Sequence, residues 1–115
     1  MVTATTKIYW IVVARETETA IFTFDAHGDR NIRAMTLQQG ASAGVRSVVM
    51  ALERGLERRA FDRLILVAES RVLWPIRRAL SPRVSNCLQA SLNIAPGTSF
   101  EVVLETRVVP ILTKE

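Results

Sequence analysis

Leu64-Ile65-Leu66-Val67-Ala68 decides how this chain reads. Five consecutive apolar residues are too few for a helix, and a run without alternation is a strand covered on both faces. The stretch before it is helical. Val45, Val48, Val49, Leu52 and Leu56 recur at helical spacing, while Arg46, Glu53, Arg54, Glu57 and Arg58 fill the other side. The spacing predicts a helix over about residues 42–59, with Ser42 as its N-cap. Gly55 inside it is a minor weakness, worth about 1 kcal/mol of helix propensity relative to alanine. A helix that delivers the chain to a strand buried on both faces is a crossover. Residues 64–68 are therefore expected in a central, parallel position.

Upstream lie three shorter extended runs. Lys7-Ile8-Tyr9-Trp10-Ile11-Val12-Val13-Ala14-Arg15 is β-branched and aromatic on both faces, again the composition of a buried strand. Residues 18–26 alternate, with Ala20, Phe22 and Phe24 on one face and Thr19, Ile21 and Thr23 on the other. Glu16-Thr17 between these runs is short enough for a hairpin, and Ala26-His27-Gly28-Asp29 is the next turn. Ile32, Ala34 and Thr36 then alternate with Arg33, Met35 and Leu37 as a third strand. Three strands joined by short turns predict an antiparallel meander.

Downstream, Ser70 to Leu80 reads as a second helix. Proline belongs in a first turn, so Pro75 predicts a start near Leu73 or Trp74. Ser81-Pro82 restarts the chain, and residues 84–94 suit either helix or strand, with a strand over 87–94 preferred. Ala95-Pro96-Gly97 is a turn, and Thr98-Ser99-Phe100-Glu101 has capping-box spacing. A closing helix over 99–109 is expected, although its valines also suit a strand, and Pro110 should end it. The order is β-β-β-α-β-α-β-α. It predicts an α/β domain of the ribonuclease H-like kind, a three-strand antiparallel meander followed by α-β-α-β-α.

Composition narrows the chemistry. The 115 residues make a single domain, residues 1–115, long enough to bury about two-thirds of its unfolded surface. Its longest apolar run, Ile8 to Ala14, is seven residues, against the roughly twenty that span a bilayer. No secretory leader is evident, so a soluble, cytoplasmic protein without a membrane partner is expected. Cys87 and His27 are the only residues of their kinds. They exclude an internal disulfide and fall short of the three or four ligands a zinc site needs. His27, the base that any Ser-His-Asp or Cys-His arrangement would have to use, sits in Asp25-Ala26-His27-Gly28-Asp29 and reads as a solvated turn histidine. The first strand has no carboxylate between Lys7 and Arg15, and Asp25 and Asp62 lie at strand edges without partners. A two-metal nuclease is therefore disfavoured. No catalytic residue, metal or cofactor is expected.

The net charge of +4 is concentrated. Residues 41–89 carry nine arginines against Glu53, Glu57, Asp62 and Glu69, a local excess of five. Arg54, Arg58, Arg59 and Arg63 run through the end of the first helix, and Arg71, Arg77, Arg78 and Arg83 through the second. If the two surfaces adjoin, Arg54, Arg58, Arg71, Arg77, Arg78 and Arg83 form a face suited to phosphates or carboxylates. Glu53, Glu57 and Glu69 would partly neutralise it, and with no aromatic but Trp74 interleaved, base stacking has little support in the sequence. Trp10 and Trp74 read first as core or interface anchors. A second candidate is the entry loop of the first helix. Gln39, Gly40, Ala41 and Ser42 leave backbone N–H groups open to an anion, but no Gly-Lys-Ser or Gly-Lys-Thr makes it a P-loop.

Ala60-Phe61-Asp62-Arg63-Leu64-Ile65-Leu66-Val67-Ala68, then Arg71-Val72-Leu73 and Ile76-Arg77-Arg78-Ala79-Leu80-Ser81-Pro82, resembles the bacterial host attachment protein family. Trp10-Ile11-Val12-Val13-Ala14 is similar to that family's opening strand. The resemblance spans most of residues 8–82 and is densest over 60–82. It implies a relationship to archaeo-eukaryotic peptide-chain release factors, whose ribonuclease H-like middle domain carries Gly-Gly-Gln between its third strand and first helix. Gln39-Gly40-Ala41-Ser42 resembles that stretch with alanine in the catalytic glutamine's place. A methyl group cannot coordinate the hydrolytic water, so peptidyl-tRNA hydrolysis is not implied. The expected function is a non-catalytic, release-factor-like domain that binds RNA, the ribosome or an acidic protein partner through the arginine face. The alternative is a homo-oligomeric structural or interaction protein without nucleic-acid binding. A third reading is an enzyme that holds a phosphorylated substrate in loop 38–44.

Overall fold

The computed structural model describes residues 7–39 and 44–113. The meander is present as β1 (Ile8–Ala14), β2 (Glu18–Asp25) and β3 (Arg33–Gln39). Then come α1 (Val45–Glu57), β4 (Arg63–Glu69), α2 (Ser70–Ala79), the single turn α3 (Pro82–Ser85) and β5 (Leu88–Ile94). The described strands form one mixed sheet in the order β3-β2-β1-β4-β5. β1 pairs antiparallel with β2, and β2 with β3, while β1–β4 and β4–β5 are parallel.

β1 and β4 alternate between two separate cores. Trp10, Val12, Ala14, Leu64, Leu66 and Ala68 face α1, α2 and α3, where Val48, Leu52, Val72, Leu73, Ile76, Leu80 and Val84 meet them. Tyr9, Ile11, Val13, Ile65 and Val67 face the opposite layer, built from Val103, Val108 and Leu112 of the closing helix. Two apolar faces explain why these strands read as uninterrupted apolar runs. The domain is a sheet between two helical layers, with residues 84–94 resolving to α3 and then β5.

Four boundaries differ from the sequence expectation. α1 begins at Val45 with Gly44 as its extended N-cap and no side-chain cap, and Ser42 lies outside the described residues. α2 begins at Ser70 rather than near Leu73, so Pro75 sits inside it. Pro75 and Arg71 both lie on the exposed face, where water can take the carbonyl that Pro75 leaves unbonded. Buried Val72, Leu73 and Ile76 hold the helix on the sheet regardless. The closing helix is capped by Ser99, whose Oγ accepts from Val102 N, while Thr98 Oγ1 turns back to donate to Ala95 O.

That helix also continues past Pro110. It consists of α4 (Phe100–Val103), a π turn (Leu104–Val108) and α5 (Val109–Leu112). The wide turn, closed by Val109 N donating to Leu104 O, carries five residues where an α-helix would carry fewer. Val103 and Val108 can therefore both point inward, and both are fully buried. Pro110 sits at the start of α5, directly after the residue whose N–H makes the wide bond to Leu104 O.

Gly55 is a requirement rather than a weakness. It is buried against β1, and a methyl group there would lie 2.5 Å from Trp10 Cζ3 and 3.1 Å from Phe61 Cε1. The Trp10 and Phe61 rings pack against each other at a 33° tilt, with centroids 4.7 Å apart. Gly55→Ala should destabilise the domain: overpacking costs ~1–3 kcal/mol against ~1 kcal/mol of gained propensity. Trp10→Phe removes the indole edge that the methyl would strike. In a denaturation double-mutant cycle the pair should be less destabilised than the sum of the single changes.

Candidate functional site

α1 and α2 both end at the edge of the sheet where β4 and β5 begin. Beside the end of α2 is a surface groove of about 330 Å³ lined by Trp74, Arg77, Arg78, Leu80, Ser85 and Leu88. Trp74 and Arg77 stand three residues apart on one flank of α2, and the Arg77 guanidinium lies over the indole, 5.1 Å from its centroid. Trp74 is 56% exposed, so it is no core anchor; Trp10, at 8%, is one. Leu80 is buried and Leu88 half-buried, giving the groove an apolar floor, and no carboxylate lines it.

The six arginines expected to form one face are divided. Arg77 and Arg78 line the groove, and Arg83 is exposed on α3, the turn whose Ser85 contributes to the rim. Arg54 and Arg58 are exposed on α1 but point elsewhere. Glu53 faces α3, and at about 100° per residue Arg54 and Arg58 lie about 100° and 140° further round the helix. Arg71 is at the opposite end of α2, where its Nη1 is 3.4 Å from Glu16 Oε1 in the β1–β2 hairpin.

Two of the three acids expected to neutralise these arginines make other contacts, while Glu57 stays exposed on α1. Glu53 accepts from Ser81 N at 2.9 Å and from Ser81 Oγ at 2.8 Å, tying α1 to the cap of α3. Glu69 is buried; it accepts from Glu16 N at 3.0 Å and lies 3.6 Å from Arg15 Nε. Among the described residues Arg54, Arg58, Arg77, Arg78 and Arg83 make no ion pair. The Trp74–Arg77 pair was open to discovery from its spacing alone, whereas Ser85 and Leu88 reach the groove only through the fold.

The other candidates carry less. Gln39 ends β3, and Gly40, Ala41 and Ser42 lie outside the described residues. Asp62 clamps the start of β1, its Oδ2 accepting from Ile8 N at 2.8 Å, and Asp25 Oδ1 accepts from His27 N at 3.0 Å within the turn. Burial pushes the Cys87 thiol up from its ordinary value, Asp62 adds to the shift, and Arg63 and Arg83 oppose it, so Cys87 is a neutral thiol at pH 7. Among the described residues no group of three or more His, Cys, Asp or Glu could hold a metal, and no helix is long and apolar enough to cross a membrane.

Residues 33–94, from the start of β3 to the end of β5, match the family model described as a protein required for attachment to host cells. The chain belongs to this family. The host attachment match covers all of the groove residues but leaves β1 and β2 outside it. Among solved structures, a chain from a structural study of the Aquifex aeolicus PPX-GPPA enzyme is similar, at 8% identity and a TM-score of 0.41. The alignment covers 77% of the host attachment chain and 36% of that chain, so this protein spans about a third of its length. The curated proteins give no match.

Because Glu53 holds the α3 cap with two bonds, Glu53→Ala should cost about 1.5–3 kcal/mol, the range for hydrogen bonds to a charged group. Arg54→Ala, one residue on and exposed, should stay within about 0.5 kcal/mol. Urea denaturation midpoints of the two variants check the contrast.

Proposed function

We propose that this host attachment family domain is a non-catalytic binding module that docks an anionic macromolecule at the α2–α3–β5 groove. The observation that carries the reading is the pair of cations Arg77 and Arg78, without an ion-pair partner among the described residues, beside an exposed tryptophan in a groove that no carboxylate lines, with Arg83 exposed on the adjoining α3. Such a surface offers guanidinium groups free of ion pairs and an apolar floor to be desolvated, the ingredients of specific polyanion binding. RNA or the ribosome is the leading partner and an acidic protein the other. A ribosomal role implies a cytoplasmic location. The strand order β3-β2-β1-β4-β5, with an antiparallel first half and α1 entered from β3, supports a ribonuclease H-like, release-factor-like ancestry. Sedimentation of lysate through a gradient tests the reading. Co-migration with ribosomal particles should be lost at high salt, after ribonuclease, and in Arg77→Glu/Arg78→Glu; migration as a small free species under every condition would sink it.

A second reading is favoured by β3. Its outer edge pairs with no other described strand, and Met35 and Leu37 are 46% and 57% exposed. Leu37 lies with Ala20, Phe22, Ala34 and Phe100 around an apolar depression. An open edge of this kind is a template for a second copy. On that reading analytical ultracentrifugation finds a species above 12.8 kDa that Leu37→Lys returns to monomer and Arg77→Glu/Arg78→Glu leaves unchanged.

A further inference from the structure

We propose that the groove takes single-stranded RNA, with one unpaired base stacked on Trp74 and the flanking phosphates on Arg77 and Arg78; this rests on the anionic-partner reading above. Charge alone does not separate a nucleic acid from an acidic peptide, since guanidinium groups pair with phosphate and carboxylate alike. The tryptophan does separate them. Its ring stands 56% exposed at the mouth of a groove whose floor is Leu80 and Leu88. A nucleobase is a flat π surface that stacks on an indole, whereas a carboxylate side chain has no face to offer.

Arg77 lies over one face of the indole, 5.1 Å from its centroid, so a base stacks on the other face with the cation beside it. A base entering the groove meets a ring and a cation together, and its phosphate lies within reach of the neighbouring Arg78. Ser85 adds a hydroxyl at the rim for a base edge or a ribose 2′-hydroxyl. At about 330 Å³ the groove falls at the lower end of small-ligand sites, the scale of a single nucleoside. A duplex keeps its bases stacked inside, out of reach of the indole, so the fit is to an unpaired strand.

The test is a fluorescence titration of the whole chain with an eight-residue oligouridylate, a duplex RNA of equal length, heparin and polyglutamate. Trp10 is buried, so quenching by a stacked base reports Trp74. The oligouridylate should quench emission and bind more tightly than the other three probes. Trp74→Phe should abolish the quench while keeping most of the affinity. Trp74→Ala should weaken binding about ten-fold, the scale of one lost base stack, with an unchanged salt slope. Arg77→Glu/Arg78→Glu should instead lower the slope of log affinity against log salt by about 1.4, the value for two single-strand phosphates. Equal binding of polyglutamate or duplex RNA, or a Trp74→Ala variant that binds oligouridylate like the wild type, would overturn the stacking proposal and leave an electrostatic face for an acidic partner. If no polyanion binds at all, the anionic-partner reading fails with it.

Discussion

Two adjacent strands with no face left for water are the constraint on which this domain rests. β1 and β4 lie side by side in parallel, and the relative exposure of Ile11, Val12, Val13, Leu64, Ile65, Leu66 and Val67 is zero. Alternate side chains must then find cover in opposite directions, which demands a helical layer on each side. The layers are built differently. α1 and α2 are amphipathic helices of ordinary spacing, while the closing helix needs a π turn to aim Val103, Val108 and Leu112 at the sheet.

What was legible in the chain follows from that constraint. The uninterrupted runs at 7–15 and 64–68, the alternation in 18–26 and the helical spacing of Val48, Leu52 and Leu56 each reflect burial periodicity, and burial periodicity is written locally. The misread positions are those where a local rule met a tertiary compensation. Pro75 breaks the first-turn rule but does so on a solvent-facing side, and Pro110 is preceded by a turn of unusual width. Gly55 looked like a propensity loss because its reason, the Trp10 ring, is more than forty residues away in sequence.

The candidate site was legible by composition and not by arrangement. Arginine clustering over residues 41–89 pointed to the stretch of chain that lines the groove. It could not say that Arg71 would turn to Glu16 at the far end, or that Arg54 and Arg58 would face away from the α1–α3 seam. Nor does a charge count reveal which acids are occupied. Glu53 and Glu69 stand close in sequence to the arginines, yet their carboxylates hold a helix cap and a hairpin. The positive character of the groove comes from Arg77 and Arg78 in a lining that holds no carboxylate.

The π turn has a bearing on how chain length can vary within the family. It amounts to one residue more than an α-helix would need between Val103 and Val108. A relative shorter by one residue there would close into an unbroken α-helix and keep both valines on the sheet at four-residue spacing. The proline would then fall in mid-helix, at a cost of about 3 kcal/mol. The extra residue and Pro110 are therefore a linked pair, to be gained or lost together, and a gap at this point of an alignment should coincide with a change at the proline.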